Sequence, residues 1–369
     1  MGTGAEIQME DAGSRLERLP VALVAGHSGS GKTTLIERLV PRLIAGGLRV
    51  AVVKHDAHGL NLDHPGKDSD RFFRAGAAVL AGGPGETFLR MPGTWDLEDA
   101  ARRLLRSNDL VLVEGHKNTR GPLKIWLRGG GEDAPPPEAG DAVMCLDRNE
   151  PRVAIVHRFL LEWLARQWLR TPVRAGVLIG GKSSRMGSPK HLLRHGGKSW
   201  AARVAAAFAG HADSIVLLGA GDAPPELGEC PRLPDVPGCA GPIAGMRAAM
   251  RWDPDASWIF APCDMPLLTP ETVAWMLARR KPGRWAVMPR QSRQEPAEPL
   301  FAWYDFRAAE LMEKVLAPRE LAGWSRSHTA LIPGALGRAL KNMNTPHDAE
   351  GLRGAQDGRN APAAAAGGF

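Results

Sequence analysis

The chain has 369 residues, 44% of them apolar and 24% charged, with a formal net charge of +7. That is ordinary for a globular protein and long enough for two domains of about 150 residues, each burying its own core. There is no run of 18 apolar residues, and residues 1–18 are too polar for a secretory signal. The start Met1-Gly2-Thr3-Gly4-Ala5-Glu6 lacks the hydroxyl residue an N-myristoylation motif needs at its sixth position. Cys145, Cys230, Cys239 and Cys263 are scattered and form neither a CxxC pair nor a disulfide framework, so a reducing cytoplasm is expected and membrane partners are not. The arginines are interleaved with acids rather than massed together. The positive excess therefore reads as local sites for anionic small molecules, not as a nucleic-acid face.

In chain order, the apolar run Val21–Ala25 predicts a strand covered on both faces. After Gly26–Thr33, Leu35, Ile36, Leu39, Val40, Leu43 and Ile44 recur at helical spacing from Thr34, with Pro41 expected to disturb the helix and Gly46-Gly47 to stop it. Further strands are predicted at Leu48–Val53, Asp109–Val113 and Leu123–Leu127, a solvated loop at Gly129–Gly140, and a helix at Arg158–Leu169. Arg170–Arg174 reads as a linker between domains at 20–170 and 174–353. The second half repeats the alternation, with strands at Ala175–Ile179, Ser214–Leu218, Ser257–Ala261 and Arg284–Met288. Its helices are predicted near Ser199–Ala209, Gly241–Met250 and Pro270–Arg279, and the Ala/Gly-rich end 354–369 is expected to be disordered. Both halves are thus predicted to be mainly parallel α/β units, two three-layer α/β/α domains.

Gly26-His27-Ser28-Gly29-Ser30-Gly31-Lys32-Thr33 fits G-x-x-x-x-G-K-[ST] in the strand–loop–helix setting that motif requires. Gly29 and Gly31 let the backbone curl so that successive amides, Ser30 to Thr34 among them, face phosphate oxygens at a helix N-terminus. Lys32 would reach the β- and γ-phosphates, and the Thr33 hydroxyl would hold magnesium. Glu114, ending the strand Asp109–Val113, is either a magnesium carboxylate or a surface acid. Lys54-His55-Asp56-Ala57-His58 with Asp63 has no tetrahedral-zinc spacing and reads better as a loop lining the nucleotide site. Pro65–Ser69 is either a mobile loop over that site or a plain turn. The whole run is similar to the molybdopterin-guanine dinucleotide biosynthesis adaptor family. The similarity rests on Ser28–Leu35, Val53-Lys54-His55, Pro65–Ser69, Ala75-Gly76-Ala77 and Leu112–Gly115, in that order. It implies a P-loop NTPase domain that binds GTP, with weak GTP hydrolysis and an assisting role.

A second glycine-rich loop, Gly180 to Lys190, follows the strand Ala175–Ile179 and is built differently. Gly180 and Gly181 allow close approach to a nucleotide, and Arg185 and Lys190 would spread the negative charge of a triphosphate. Asp264, in Pro262-Cys263-Asp264-Met265-Pro266, ends a strand where a carboxylate can hold magnesium. Asp235, before Gly238 and the helix entry Gly241–Met246, is either a nucleotide contact or a turn acid. Thr345, in Asn342-Met343-Asn344-Thr345-Pro346, reads as a helix cap.

This half resembles the molybdenum cofactor guanylyltransferases, which transfer GMP from GTP to molybdopterin and release pyrophosphate, and the resemblance implies a Rossmann-like nucleotidyltransferase domain. The resemblance implies that Leu178, Ile179, Gly180 and Lys190 bind GTP, that Asp235 contacts the nucleotide and that Asp264 binds Mg2+. Molybdoenzymes and other molybdenum cofactor biosynthesis proteins are the implied partners. Two departures leave alternatives open. Pro189 stands before Lys190 in a loop one residue short, as in the related cytidylyltransferases, and Leu218-Gly219-Ala220-Gly221 stands where the family has an asparagine. A cytidylyltransferase and a non-catalytic cofactor delivery protein are the competing readings.

Overall fold

The structure is a computed structural model that describes residue 16 and residues 19–55, 62–119, 123–131, 134–180, 188–345 and 347–348. It divides into two compact units between Leu164 and Ala165. The expected disorder of 354–369 lies outside the described residues.

In the first unit the elements run β1 (Val21–Ala25), α1 (Lys32–Ala45), β2 (Val50–Lys54), α2 (Asp68–Arg74), β3 (Val79–Gly83) and β4 (Glu86–Arg90). They continue with α3 (Leu97–Leu105), β5 (Leu110–Glu114), β6 (Lys124–Leu127) and β7 (Met144–Leu146), and the division falls within the last turns of the helix that follows, α4 (Arg152–Leu169). The main sheet is parallel throughout, in the order β2-β5-β1-β6-β7. Every residue of β1 is buried because both faces are covered. Val21, Leu23, Val111 and Val113 pack against Leu97, Ala101 and Leu105 of α3. Ala22 and Val24 alternate to the other face, where α1 lies on β1, β2 and β5. Asp96 caps α3 by accepting from the Glu98 amide at 2.8 Å.

In the second unit β8 (Val173–Leu178) is followed by the ribbon β9 (Arg194–His195) and β10 (Lys198–Ser199), then α5 (Trp200–Ala207), β11 (Ser214–Leu218) and β12 (Arg232–Leu233). Next come α6 (Pro242–Trp252), β13 (Ser257–Pro262), α7 (Pro270–Leu277), β14 (Ala286–Arg290), β15 (Ala302–Tyr304), α8 (Ala309–Met312), β16 (Ser327–Leu331) and α9 (Gly334–Gly337). The sheet order is β12-β11-β8-β13-β15-β14-β16. Only β15 runs antiparallel, against both β13 and β14. The cluster on one face joins Leu178, Val216, Leu218 and Phe260 to Ile243, Met246 and Met250 of α6. The opposite face carries α5 and α7, capped by Ser199 and Thr269.

Several elements depart from the sequence expectations. Helix α1 begins at Lys32 rather than Thr34 and runs through Pro41. Pro41 and Glu37 both lie on the exposed face, so the Glu37 carbonyl that loses its amide partner is open to water. Helix α4 begins at Arg152, six residues before the expected start, because Val156 continues the buried series Leu160, Leu164 and Trp168. The hairpin β3–β4 and helices α2 and α3 were not anticipated, and neither were the short strands β7, β12, β15 and β16.

Gly176, in the middle of β8, has no room for a side chain: a Cβ there would lie 2.5 Å from Phe260 Cδ1 and 2.6 Å from Leu218 Cδ1. Phe260 and Leu218 are both fully buried, so neither ring nor methyl can retreat without disturbing its neighbours. Gly176→Ala is therefore expected to destabilise the second unit by about 1–3 kcal/mol. Chemical denaturation followed by the tryptophans of that unit measures this, and an unchanged midpoint would refute it.

Candidate functional site

The first site is the loop between β1 and α1. Gly26 has φ 142°, and a Cβ there would sit 2.4 Å from the Leu127 carbonyl oxygen and 2.7 Å from Ser30 Oγ, so no other residue fits. Gly29 and Gly31 are left-handed, at φ 73° and 94°, and Gly31 caps α1 without a side chain over its first-turn amides. Thr34 is exposed on that first turn. Lys32 Nζ donates to the carbonyls of Gly26 (2.9 Å) and His27 (2.8 Å). Burial pushes the Lys32 ammonium below its usual pKa, Glu114 opposes that shift and Lys54 adds to it. Thr33 Oγ1 donates to Glu114 Oε1 at 2.7 Å, and Lys54 Nζ is 3.8 Å from the same oxygen. A hydroxyl and a carboxylate oxygen side by side are the hard donors magnesium prefers, so the residues present fit that ion.

The neighbouring loops are engaged otherwise. Asp63 accepts from Ser69 Oγ (2.9 Å) and Arg90 (3.1 Å), while the rings of His55 and His116 lie 4.9 Å apart. Asp56 and His58 lie outside the described residues. Among the described residues no group of three or more His, Cys, Asp or Glu side chains converges as a metal cluster. The stretch Pro65–Ser69 leads into α2. Its Gly66 amide donates to Asp70 (2.9 Å), whose carboxyl is held down at about 2 first by that amide and then by Arg74.

The second site lies at the carboxyl ends of β8, β11 and β13, where ligands of open α/β sheets bind. A cavity of about 910 Å³ is lined there by Leu178, Ile179, Gly180, Lys190, Asp235 and Asp264, together with His191, Gly221, Leu300, Asn342 and Asn344. Gly219 has φ 110°, and a Cβ there would lie 2.8 Å from the Gly180 amide nitrogen, so the turns after β8 and β11 pass each other closely. Asp235 follows β12, and its carboxylate faces Gly180 and Gly245. Lys190 Nζ donates to Asp264 Oδ2 at 2.9 Å and to Asn344 Oδ1 at 2.7 Å, and the Met343 amide donates to the Asp264 carbonyl at 2.8 Å. Burial pushes the Cys263 thiol up to about 12, with Asp264 adding to the shift, so the thiol stays protonated beside that carboxylate. Asp264 and Asp235 give this cavity two carboxylates, a donor set that also fits magnesium. Gly181 and Arg185 lie outside the described residues. Thr345 Oγ1 is 3.3 Å from the Asp348 amide and donates to its carboxylate at 2.8 Å, as a capping residue does.

Residues 175–335 match the family model described as MobA-like NTP transferase domain, and residues 21–145 match molybdopterin guanine dinucleotide synthesis protein B. The molybdopterin-guanine dinucleotide biosynthesis adapter protein of Haemophilus influenzae is 36% identical over 162 residues, 40% of this chain and 90% of that protein. The adapter protein of Escherichia coli is 32% identical over 169 residues, 40% of this chain and 95% of that protein. The molybdenum cofactor guanylyltransferase of Rhizobium meliloti is 32% identical over 192 residues, 47% of this chain and 87% of that protein. The chain belongs to both families, the adapter family through its first half and the guanylyltransferase family through its second.

In the adapter half, sequence reasoning missed Arg152. Its guanidinium donates to the carbonyls of Ser30 (2.6 Å), Arg128 (2.7 Å), Leu146 (2.9 Å) and Asp147 (2.8 Å), tying the phosphate loop to the ends of β6 and β7. In the guanylyltransferase half it missed His191, Leu300 and Glu298. Burial pushes Glu298 above the usual carboxylate range, and the charge of Asp264 adds to that shift. Arg152 meets the loop across 122 positions of sequence, and nothing local announces it. The Gly26 contacts carry a prediction: Gly26→Ala should abolish nucleotide binding by the first unit while leaving the second intact. Equilibrium titration of the full chain with a fluorescent GTP analogue would then fall from two sites to one, and two undiminished sites would refute the steric argument.

Proposed function

We propose that the second unit transfers GMP from GTP to molybdopterin, forming the guanine dinucleotide cofactor and pyrophosphate, and that the first unit is a GTP-binding adapter with weak hydrolytic activity. The observation that carries this reading is Lys190, held in the cavity between Asp264 and Asn344 across 74 and 154 positions of sequence. A cation and a carboxylate placed together at a strand end suit a reaction whose charge builds on bridging phosphate oxygens.

In the reaction, an oxygen of the molybdopterin terminal phosphate forms a bond to the α-phosphorus of GTP. The bond from that phosphorus to the β-phosphate oxygen breaks, and the electron pair leaves with pyrophosphate. The phosphate nucleophile is already ionised at neutral pH, so no protein base is required. Lys190 exchanges its contacts with Asp264 and Asn344 for phosphate oxygens and stabilises the leaving charge, with Arg185 as its second cation. Gly180 and Gly219 let the nucleotide approach the backbone, and Asp235 orients it. Asp264, with Asp235 beside the same cavity, would hold Mg2+, which supplies charge neutralisation when bound. In the first unit Lys32 and the amides from Gly29 to Thr34 would bind the phosphates of GTP, and Thr33 and Glu114 would hold Mg2+.

No helix among the described residues is long and apolar enough to cross a membrane. The scattered cysteines support placement in the cytoplasm, beside other molybdenum cofactor biosynthesis proteins and the molybdoenzymes that receive the product. One observation favours a second reading. The turn Gly219-Ala220-Gly221 offers no hydrogen-bonding side chain to the base, so a cytidylyltransferase remains the competing assignment.

Incubating the protein with magnesium, molybdopterin and GTP, CTP or ATP tests the reading. A guanine dinucleotide from GTP alone is the expected outcome. A cytosine product would establish the second reading, and no product despite GTP binding would make the chain a delivery protein. Asp264→Ala and Lys190→Ala should each lower transfer by about 10²–10³-fold while GTP hydrolysis continues at its former rate. Lys32→Ala should do the reverse. Loss of both activities in a folded variant would overturn the assignment of two independent sites.

A further inference from the structure

His191 follows Lys190 directly, lines the same cavity and is only 5% exposed. Its Nε2 is buried with no hydrogen-bond partner. The backbone of Asp222 hydrogen-bonds the ring and favours its protonated form, which identifies that backbone group as the carbonyl and the ring donor as Nδ1. Burial outweighs this contact and pushes the ring below the usual histidine pKa. The ring is therefore neutral at physiological pH, with a lone pair on Nε2. A buried acceptor left without a donor is rare in a folded protein and marks a place where a ligand can supply one.

The surroundings say what kind of ligand. A Cβ on Gly221 would lie 2.6 Å from the Ile179 carbonyl oxygen, 2.8 Å from His191 Cε1 and 3.0 Å from His191 Nε2. Two acceptors, one from the backbone and one from a side chain, thus lie close together against Gly221 in the lining of the cavity. That residue is not among those with positive φ. Glycine is needed there for room rather than for backbone conformation. The place also lies on the right side of the sheet. Lys190 and Asp264 mark the phosphate end at β13, while Gly221 follows β11. With β8 between them, the two ends are separated by two strand spacings, about 9–10 Å.

We propose that His191 reads the base in the second site, its Nε2 accepting a hydrogen bond from a guanine N–H while the Ile179 carbonyl accepts from the other. The proposal rests on the nucleotidyl-transfer reading of this cavity and adds the element that selects the base. Guanine carries two adjacent donors on one edge, the ring N1–H and the 2-amino group. Adenine and cytosine each carry a donor beside an acceptor, and that acceptor would meet a lone pair. A carbonyl and a neutral imidazole supply the selectivity that the turn after β11 has no polar side chain to supply.

The test uses the full chain with 15N-labelled histidine, its His191 ring signals assigned by their loss in His191→Gln. Saturation with GTP and magnesium should move the Nε2 resonance upfield, as a lone pair does on accepting a hydrogen bond, and ATP should not. In the transfer assay His191→Phe should lower kcat/KM for GTP about tenfold, the effect of one hydrogen bond, and the GTP-to-ATP preference by the same factor. Gly221→Ala, whose Cβ would displace the imidazole while keeping its chemistry, should do likewise. An Nε2 signal unmoved by GTP in a wild-type protein that makes the guanine dinucleotide would overturn the inference and spare the transfer reading. A signal that moves in a protein that transfers nothing would do the opposite. An unchanged GTP-to-ATP ratio in His191→Phe would also sink the proposal.

Discussion

In both units the chain leaves a buried parallel strand at a point where the backbone has no room for a Cβ. At Gly26 the obstruction is the carbonyl of Leu127, 2.4 Å from where a Cβ would be. At Gly219 it is the amide nitrogen of Gly180, at 2.8 Å. These contacts arise because the central strands are covered on both faces and drawn to ordinary sheet spacing, so the loops at their carboxyl ends must pass one another closely. The same crowding turns backbone amides and carbonyls toward the space above the sheet. Each site is therefore framed by main chain, and its side chains add charge and selectivity to an opening the fold has already made.

The two sites manage charge differently. In the first, Lys32 turns back onto the loop and satisfies the carbonyls of Gly26 and His27, while Arg152 holds the Ser30 carbonyl from outside. Carbonyl oxygens are thereby drawn to cations on the rim, and the first-turn amides of α1 are left facing the loop's interior. In the second, the cation is held by side chains instead. Lys190 is pinned by Asp264 and Asn344, and Asp264 is itself fixed through its backbone carbonyl by the Met343 amide. A phosphate entering there exchanges one set of ion–dipole contacts for another, so the lysine arrives at the reaction already oriented.

What the sequence made legible follows from how local each determinant is. The phosphate loop could be read because its glycines, lysine and threonine act within eight positions of one another, between a strand and a helix that were equally plain. Asp264 was legible as an acid at the end of an apolar strand. Arg152 was not, because its carbonyl partners come from segments that meet only in the folded unit. His191 was hidden beside Lys190, since nothing in sequence places an imidazole against Gly221 or leaves its Nε2 without a donor. The antiparallel strand β15 escaped notice because three residues, Ala302–Tyr304, are too few to show a period. Pro41 misled in the other direction: a proline inside a helix is tolerated where its lost partner faces water, and exposure is a property of the fold.

On the proposed reading, the same nucleotide is held in opposite ways by the two units, and the chemistry explains why. Hydrolysis acts at the terminal phosphate, so a loop that wraps the β- and γ-phosphates with amides and keeps the base outside is sufficient. Nucleotidyl transfer acts at the α-phosphorus and must release the β- and γ-phosphates as pyrophosphate. A closed amide cradle around those groups would retain the leaving group and stabilise the substrate as much as the transition state, which gains nothing in rate. An open cavity with a lysine held by a carboxylate and an amide, and a grip on the base, avoids this. It holds the part of the nucleotide that stays in the product and lets go of the part that leaves. The His191 ring, with its Nε2 unpartnered in the lining of that cavity, is where the proposal places such a grip.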